Sequence, residues 1–154
     1  MGYRQGAMKG FTLIELMTVV VIVAIITMIA LPSYQEQARR GKRAEAKAYL
    51  VDLASRQERF YTQYSSYTNV IAKPTSCAGA ACGLGMEDNS SSDNHYTSTL
   101  AVTPTGCSPA GTLCVGYTLT VTPNDADAKC ATLTYSHAGE KGATGTMGAD
   151  YCWR

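Results

Sequence analysis

The stretch of sequence that decides the fold is KGFTLIELMTVVVIVAIITMIAL, residues 9–31. From Phe11 to Leu31 it is apolar apart from three threonines and one acidic residue. At a rise of 1.5 Å per residue, a helix of this length spans about 31 Å, which is enough to cross the hydrocarbon core of a bilayer. The sequence therefore predicts a membrane-spanning helix over residues 11–31.

The acidic residue inside this apolar run is Glu15. Insertion scales give a cost of about 2.5–3.5 kcal/mol for a charged side chain at the bilayer centre, and less toward the interface. Ionisable residues in membrane-spanning segments are rare and commonly serve a function. We therefore expect Glu15 either to meet a partner of opposite charge or to reach back to the cytoplasmic headgroups from one turn inside the helix.

The charges on either side of the apolar run bear on its orientation. Arg4 and Lys9 precede it, which favours a cytoplasmic N-terminus. A second basic cluster at residues 39–43 follows it and weakens this argument. The cysteines favour an outward-facing second half, because all six lie after residue 76 and an even number of cysteines on one side of a membrane segment indicates an oxidising compartment.

The six cysteines predict disulfides, and they permit 15 pairings between which the sequence does not choose. Loop length favours Cys77–Cys82, Cys107–Cys114 and Cys130–Cys152. The last of these would contribute about 3 kcal/mol in the loop-entropy model. Zinc is the alternative, but the close spacings are C-x4-C and C-x6-C rather than paired C-x2-C, and both histidines stand alone in the sequence.

The helical pattern continues beyond the apolar run. Pro32 interrupts it, yet residues 33–64 keep strong helix formers with i, i+3/i+4 spacing of apolar residues. We predict one long helix over about 11–62, bent at Pro32 and weakened at Gly41, since proline costs about 3 kcal/mol and glycine about 1 kcal/mol inside a helix. The alternative is a membrane helix that ends at Pro32, followed by a second helix.

The part of this helix after Pro32 is predicted to be amphipathic. An apolar stripe should pack against the rest of the chain, and charged side chains should cover much of the remainder. The stripe comprises Leu50, Leu53, Ala54, Tyr61 and Tyr64, with Phe60 beside it, and the charged residues are Arg39, Lys42, Arg43, Glu45, Arg56 and Glu58.

Three segments of the second half favour β-strands. Residues 115–122 alternate apolar and polar side chains with period two, and residues 96–103 and 129–135 are the other candidates. The turn-forming residues 123–127 predict an antiparallel hairpin between the strands at 115–122 and 129–135. The glycine-rich tail is predicted to be a surface loop tied down through Cys152. Three short strands need a cover for their apolar face, which the stripe of the helix can supply.

Composition and motifs argue against several classes of function. The formal net charge of the 154-residue chain is +1, so no strong non-specific attraction to nucleic acid is implied. No phosphate-binding loop, nucleophile elbow or histidine-anchored metal motif occurs, so neither an enzyme nor a cofactor is predicted. Residues 65–95 are predicted to form a polar loop; its Asp88, Asn89, Asp93 and Asn94 offer calcium ligands, but their spacing matches no EF-hand.

The junction at residues 9–16 carries a family resemblance. It places a basic residue and a glycine before Phe-Thr-Leu, with Glu15 as the fifth residue after the glycine. This pattern resembles the start of a type IV prepilin, and residues 141–145 and 152–153 resemble the C-terminal region of PilE-like minor pilins. The resemblance implies an α+β fold: a long N-terminal helix, membrane-spanning in its first half, packs on a small antiparallel β-sheet with a disulfide-closed C-terminal loop.

The resemblance also implies how the chain is divided. Residues 1–10 would be a leader peptide, and residues 11–64 would form the long helix, of which 11–31 is the transmembrane or filament-core part. Residues 65–154 would form the C-terminal globular domain. A secretory signal cut after the apolar run and an uncleaved single-pass anchor are the alternatives.

Processing and assembly are assigned to residues of the junction by the same resemblance. A prepilin peptidase would cut between Gly10 and Phe11 and methylate the new N-terminus at Phe11. Assembly roles are implied for Thr12, Glu15 and Pro32. The cut exposes an amine on Phe11, with which Glu15 of a neighbouring subunit would pair, and burial of this pair would make it a check on the register between helices.

The implied function is that of a structural subunit, minor rather than major, of a type IV pilus that serves adhesion, twitching motility or DNA uptake. Its implied partners are other pilin subunits, the prepilin peptidase, the inner-membrane assembly platform, and the membrane before assembly. The chain would lie in the bacterial inner membrane with its C-terminal domain in the periplasm, and later in an extracellular pilus.

Two alternatives share this N-terminal half. One is a pseudopilin of type II secretion, and the other is a DNA-binding competence pilin. In the latter, the basic residues Arg39, Arg40, Lys42, Arg43 and Lys47 would contact phosphates. Nucleic acid is the less favoured partner, because the position of these residues beside the membrane favours lipid headgroups or the groove of a filament.

Overall fold

The first element of the structure is a 52-residue helix, α1, at Leu13–Tyr64. The computed structural model describes residues 10–154, so residues 1–9 of the predicted leader peptide lie outside the described part of the chain. Thr12 caps the N-terminus of α1, because its Oγ1 accepts a hydrogen bond from the backbone N–H of Glu15 at 3.3 Å. Pro32 lies inside α1, so the structure has one long helix here rather than two.

The described residues form two compact units, which divide within α1 after Ala38. In the first unit the side chains of residues 11–31 are exposed, and fifteen of them are large and apolar. Within residues 10–154, α1 is the one helix long and apolar enough to cross a membrane, and its apolar stretch is not buried. Exposed apolar surface of this extent indicates a surrounding of lipid or of other helices.

The second unit, Arg39–Arg154, contains a four-stranded antiparallel sheet with the strand order β1-β2-β3-β4. Strands that are neighbours in sequence are therefore neighbours in the sheet. A single 3₁₀ turn lies in the long connection between α1 and β1. The elements are the 3₁₀ turn at Gly79–Cys82, β1 at Tyr96–Thr103, β2 at Gly116–Pro123, β3 at Leu133–Ser136, β4 at Lys141–Ala143 and a short helix, α2, at Gly148–Trp153.

The C-terminal half of α1 and the sheet bury their side chains in one hydrophobic cluster. The apolar positions of β2 alternate as predicted, which places Tyr117, Leu119 and Val121 in the core. The prediction for Tyr61 is wrong, because its side chain is 41 % exposed. The apolar side chains that α1 contributes are Ala46, Tyr49, Leu50, Leu53, Ala54 and Phe60, with Tyr64 partly buried against them.

The three predicted strands all form; β2 is shifted by one residue, and β3 starts later than predicted. The hairpin of β2 and β3 is confirmed, with Val121 opposite Leu133 in antiparallel register. β3 starts at Leu133 rather than at Lys129, because the backbone N–H groups of Lys129 and Cys130 donate to the carboxylate of Asp127, at 3.2 and 3.4 Å, instead of to a strand.

The tail contains structure that the sequence reading did not predict, since it was expected to be a loop. β4 pairs with β3, placing Lys141 opposite Tyr135. α2 follows after a turn in which Gly145 lies against the backbone of Lys129 so closely that no side chain would fit there. A three-residue strand and a six-residue helix are held by their packing rather than by local propensity.

Three disulfides staple the second unit: Cys77–Cys82, Cys107–Cys114 and Cys130–Cys152. These are the pairings that loop length favours. The bond between Cys130 and Cys152 closes the C-terminal region, as the fold prediction expected, and both of its cysteines are 1 % exposed. Cys77 and Cys82 are only half-buried.

Replacing Cys130 and Cys152 together with serine should lower the free energy of unfolding by about 3 kcal/mol or more, because the disulfide closes the longest of the three loops and its sulfurs are buried. The matched double replacement of Cys77 and Cys82 should cost about 2 kcal/mol, since that loop is short. Urea unfolding of the full chain in detergent micelles measures both. Equal losses in the free energy of unfolding would show that the C-terminal disulfide stabilises the chain no more than the short Cys77–Cys82 loop does.

Candidate functional site

The residues assigned to processing and assembly lie at the start of the first unit. Gly10 and Phe11 precede α1 and are exposed. Thr12 and Glu15 occupy the first and fourth positions of a capping box, although the structure shows only the bond that Thr12 accepts. The Glu15 side chain is exposed, and it forms no ion pair within residues 10–154. Cleavage after Gly10 and pairing of Glu15 with another subunit stay predictions.

A second candidate site is a basic surface around the C-terminal helix of the second unit. A cavity of about 330 Å³ is lined by side chains of α1 and α2, and a neighbouring cavity of about 320 Å³ shares Arg154 with it. Among residues 10–154, Asp150 is the one acidic residue that lines either cavity. We call this area the basic surface, and define it by Arg40, Lys47, Lys141, Tyr151, Trp153 and Arg154.

The two aromatic side chains of the basic surface each contact a cation, one at the surface and one buried beneath it. The Lys141 ammonium lies 5.2 Å from the ring centroid of Trp153, and the Arg43 guanidinium lies 5.7 Å from that of Tyr151. The indole N–H of Trp153 donates to the carbonyl of Gly142 at 2.9 Å, which fixes the ring against β4. Basic and aromatic side chains therefore alternate here, which suits a ligand with phosphates and planar rings.

A buried ion pair supports the basic surface from below. Nε and Nη2 of Arg43 donate to the two carboxylate oxygens of Asp127 at 2.7 and 2.9 Å, and both residues are buried. The hydrogen bonds from Arg43 hold the pKa of Asp127 below its usual value, against the opposing effect of burial. The same carboxylate orders the backbone before β3, so this pair joins α1 to the connection between β2 and β3.

A third feature is an acidic groove between α1 and the loop before β1. A cavity of about 600 Å³ is lined by Glu45, Asp52, Glu87 and Asp88, among others. Arg56, which is bound to Asp52 at 2.8 Å, is the one cation that the described part of the chain contributes to its lining. The groove and the basic surface thus differ in sign, although the formal charge of the chain is close to zero. A phosphate group would therefore be attracted to the basic surface and repelled by the acidic groove.

At one end of this groove, Glu45 of α1 meets the turn that precedes β1. Its Oε2 lies 2.7 Å from Nδ1 of His95, and its Oε1 accepts a hydrogen bond from the backbone N–H of Asp93 at 3.4 Å. Burial acts to raise the pKa of Glu45, but hydrogen bonds from Ser91, His95 and Asp93 lower it overall. One donor atom from each of Glu45, Asp93 and His95 lies within 4.8 Å of the others, so these three residues could hold a metal ion.

The sequence reading missed two of these features. Arg43 was expected on the charged face of α1 but is 5 % exposed, because Asp127 satisfies its guanidinium. The helical spacing could have shown that Arg43 is buried, because it lies on the same face of α1 as the apolar residues. Buried or half-buried positions on that face recur with the spacing 3-4-3-4-3-4, at Arg43, Ala46, Leu50, Leu53, Gln57, Phe60 and Tyr64. His95 stands alone in the sequence, and its contact with Glu45 spans 50 residues, so no local pattern could have shown it.

Comparison with known families identifies both halves of the chain. Residues 7–31 match the family model of the prokaryotic N-terminal methylation motif. Residues 32–134, more than half of the chain, match the model described as type IV minor pilin ComP, DNA uptake sequence receptor.

The chain is also similar to individual pilins. It is 41 % identical over 79 residues to the type IV major pilin protein PilE of Neisseria gonorrhoeae, covering 51 % of this chain and 45 % of that protein. It is 42 % identical over 66 residues to the type IV major pilin protein PilA of Myxococcus xanthus, covering 41 % and 30 %. The matched parts thus span less than half of the length of these relatives. Together with the long helix, the sheet and the family matches, they show that the chain belongs to the type IV pilins, in the family of the minor pilin ComP.

Proposed function

We propose that this chain is a minor subunit of a type IV pilus that takes part in DNA uptake by binding DNA through its basic surface. The family match supports the DNA part of this proposal, because the matching model describes a DNA uptake sequence receptor. The main structural support for the proposal is the composition of the basic surface. Four cations and two aromatic rings lie around α2, while acidic residues line the groove on α1.

The first unit supports assembly into a filament. We propose that a prepilin peptidase cuts after Gly10 and methylates Phe11, in line with the match to an N-terminal methylation motif. Residues 11–31 would then anchor the chain in the inner membrane, with the second unit in the periplasm, where its three disulfides persist. The assembly platform would transfer the subunit into the pilus, where it contacts other pilin subunits.

Filament membership can be tested directly against the alternative of a type II secretion pseudopilin. Cells expressing the chain are sheared, and the long surface fibres are collected and probed with an antibody to it. Mass spectrometry of the same material should find a mature chain that starts at methylated Phe11. Absence from the fibres, with the protein retained in the cell envelope, would favour the pseudopilin.

DNA binding should depend on the salt concentration and on the basic surface. A fluorescent 30-base-pair duplex is titrated with the full chain in detergent micelles between 50 and 200 mM salt. Replacing Lys141 and Arg154 with alanine removes two cations, so the slope of log K against log salt should become shallower by about 2 if each contacts a phosphate.

The matched control replaces Lys73 and Arg59, which are also one lysine and one arginine, are exposed, and line neither cavity of the basic surface. This pair should leave the slope within error of the parent. Equal losses in the two double variants would place the binding elsewhere, and a chain without salt-dependent DNA binding would contradict the proposal.

A further inference from the structure

The cluster of Glu45, Asp93 and His95 unites three good metal ligands from two elements that are distant in sequence. Glu45 is on α1, and the other two are on the turn that leads into β1. One oxygen or nitrogen of each lies within 4.8 Å of the others. The side chain of Glu45 is 15 % exposed and that of His95 is 34 % exposed, while Asp93 lies at the surface.

The turn that carries two of the ligands is held in shape by bonds that do not involve the cluster. Asn94 has a left-handed backbone, with φ of 55°, and its N–H donates to the carbonyl of Ser91 at 2.9 Å. The side chain of Asn124 donates to the Asn94 carbonyl at 2.7 Å. The backbone N–H of Tyr96 donates to Oγ of Ser91 at 3.1 Å. The backbone on both sides of His95 is therefore fixed before any ion binds, which limits the cost of ordering the site.

The charges around the cluster favour a cation. Asp125 lies close enough to His95 for the two to interact electrostatically. The Lys42 ammonium is in turn bound to Asp125. The acidic groove opens beside Glu45 and adds the carboxylates of Asp52, Glu87 and Asp88. A divalent ion at the cluster would therefore be attracted by its surroundings, and water in the groove could complete its coordination.

The kinds of donor atom identify the class of ion. One imidazole nitrogen with two carboxylate oxygens suits Zn²⁺ and similar transition metals, whereas Ca²⁺ and Mg²⁺ prefer oxygen ligands alone. Tetrahedral bonds of about 2.1 Å place donors about 3.4 Å apart. Oε2 of Glu45 and Nδ1 of His95, which are 2.7 Å apart, must therefore separate slightly, and the carboxylate of Asp93 must adjust to the same spacing from both. The exposed Asp93 can do so by rotating its side chain.

We propose that Glu45, Asp93 and His95 form a binding site for one Zn²⁺-type ion, which links α1 to the turn before β1. Three protein ligands leave one position for water, as in open zinc sites. Binding replaces the contact between Glu45 and His95 by bonds from both to the ion, and any proton on the ligands is released. Because the ion binds only the folded chain, it should raise the unfolding temperature as its concentration rises.

The test uses the full chain in detergent micelles, with Zn²⁺ and Ca²⁺ as the probes in separate titration calorimetry experiments. We expect one equivalent of Zn²⁺ to bind, with no saturable binding of Ca²⁺ at the same concentrations. His95→Gln should weaken Zn²⁺ binding at least about tenfold. The matched control is His137→Gln, which removes the other histidine of the chain, a residue that packs against Tyr117 and lies outside the cluster.

Asp93→Asn provides an independent reading, because it leaves the pair of Glu45 and His95 in place. It should keep the unfolding temperature of the metal-free chain and reduce the rise that Zn²⁺ causes. Co²⁺ in place of Zn²⁺ should give visible absorption bands that His95→Gln abolishes and His137→Gln does not. Absence of saturable Zn²⁺ binding, equal effects of the two histidine variants, or preference for Ca²⁺ would each overturn the proposal.

Discussion

Replacing Glu15 with glutamine should abolish the entry of the chain into pili while leaving its insertion into the membrane unchanged. Glutamine can still serve at the fourth position of a capping box, so the start of α1 is preserved. What is lost is the charge that we propose pairs with the amine of Phe11 in a neighbouring subunit. The amine is then buried without a partner, which is strongly destabilising in a low-dielectric surrounding. Glu15→Ala should give the same result.

The measurement compares the amount of the chain in sheared pili with the amount in the membrane fraction. Thr12→Ser is the control for the cap, because serine offers the same hydroxyl to the backbone N–H of Glu15. That variant should enter pili at the level of the parent. Normal incorporation of Glu15→Gln would show that the carboxylate has no role in assembly beyond the capping of α1.

The second large effect concerns the buried pair of Arg43 and Asp127. Arg43→Met should lower the free energy of unfolding by about 3–5 kcal/mol, because it leaves the carboxylate of Asp127 buried without its partner. Arg43→Met combined with Asp127→Asn should recover much of this loss, since asparagine removes the buried charge and keeps an acceptor for the backbone N–H groups of Lys129 and Cys130. Lys42→Ala is the control: it breaks an exposed pair with Asp125 and should change stability little.

The stability that the pair of Arg43 and Asp127 contributes should be lost in acid. Because Arg43 lowers the pKa of Asp127 in the folded chain, the contribution to stability is complete above the unfolded pKa of about 3.9 and is lost as the pH falls through the lower, folded pKa. Urea unfolding between pH 5 and pH 2 should therefore show a steeper loss for the parent than for Arg43→Met. Parallel curves for the two would contradict the assignment.

The sequence predicted the parts of the fold that rest on periodicity. The apolar run, the long helix and the alternation of β2 are local patterns, and each has a direct physical cause in burial or in lipid contact. β1 matched its predicted range for the same reason, since Tyr96 and Ser98 are buried while Thr97 and Thr99 between them are exposed.

The parts that were missed depend on partners far along the chain. β4 and α2 are too short to be predicted, and they exist because β3 and the disulfide of Cys152 hold them. Arg43 is buried only because Asp127 meets it across 84 residues. The basic surface likewise brings residues of α1 together with residues near the C-terminus. The net charge of the sequence does not show this local concentration of positive charge.

The bare apolar half of α1 restricts the route by which this chain can travel. Fifteen large apolar side chains are exposed between Phe11 and Leu31, and each costs about 1.5–3 kcal/mol when moved from an apolar surrounding into water. Passage through water would thus cost on the order of 20–45 kcal/mol. Such a subunit cannot diffuse freely to a growing fibre. In the assembly that we propose, it would pass directly from lipid to neighbouring helices, so that its apolar side chains never enter water.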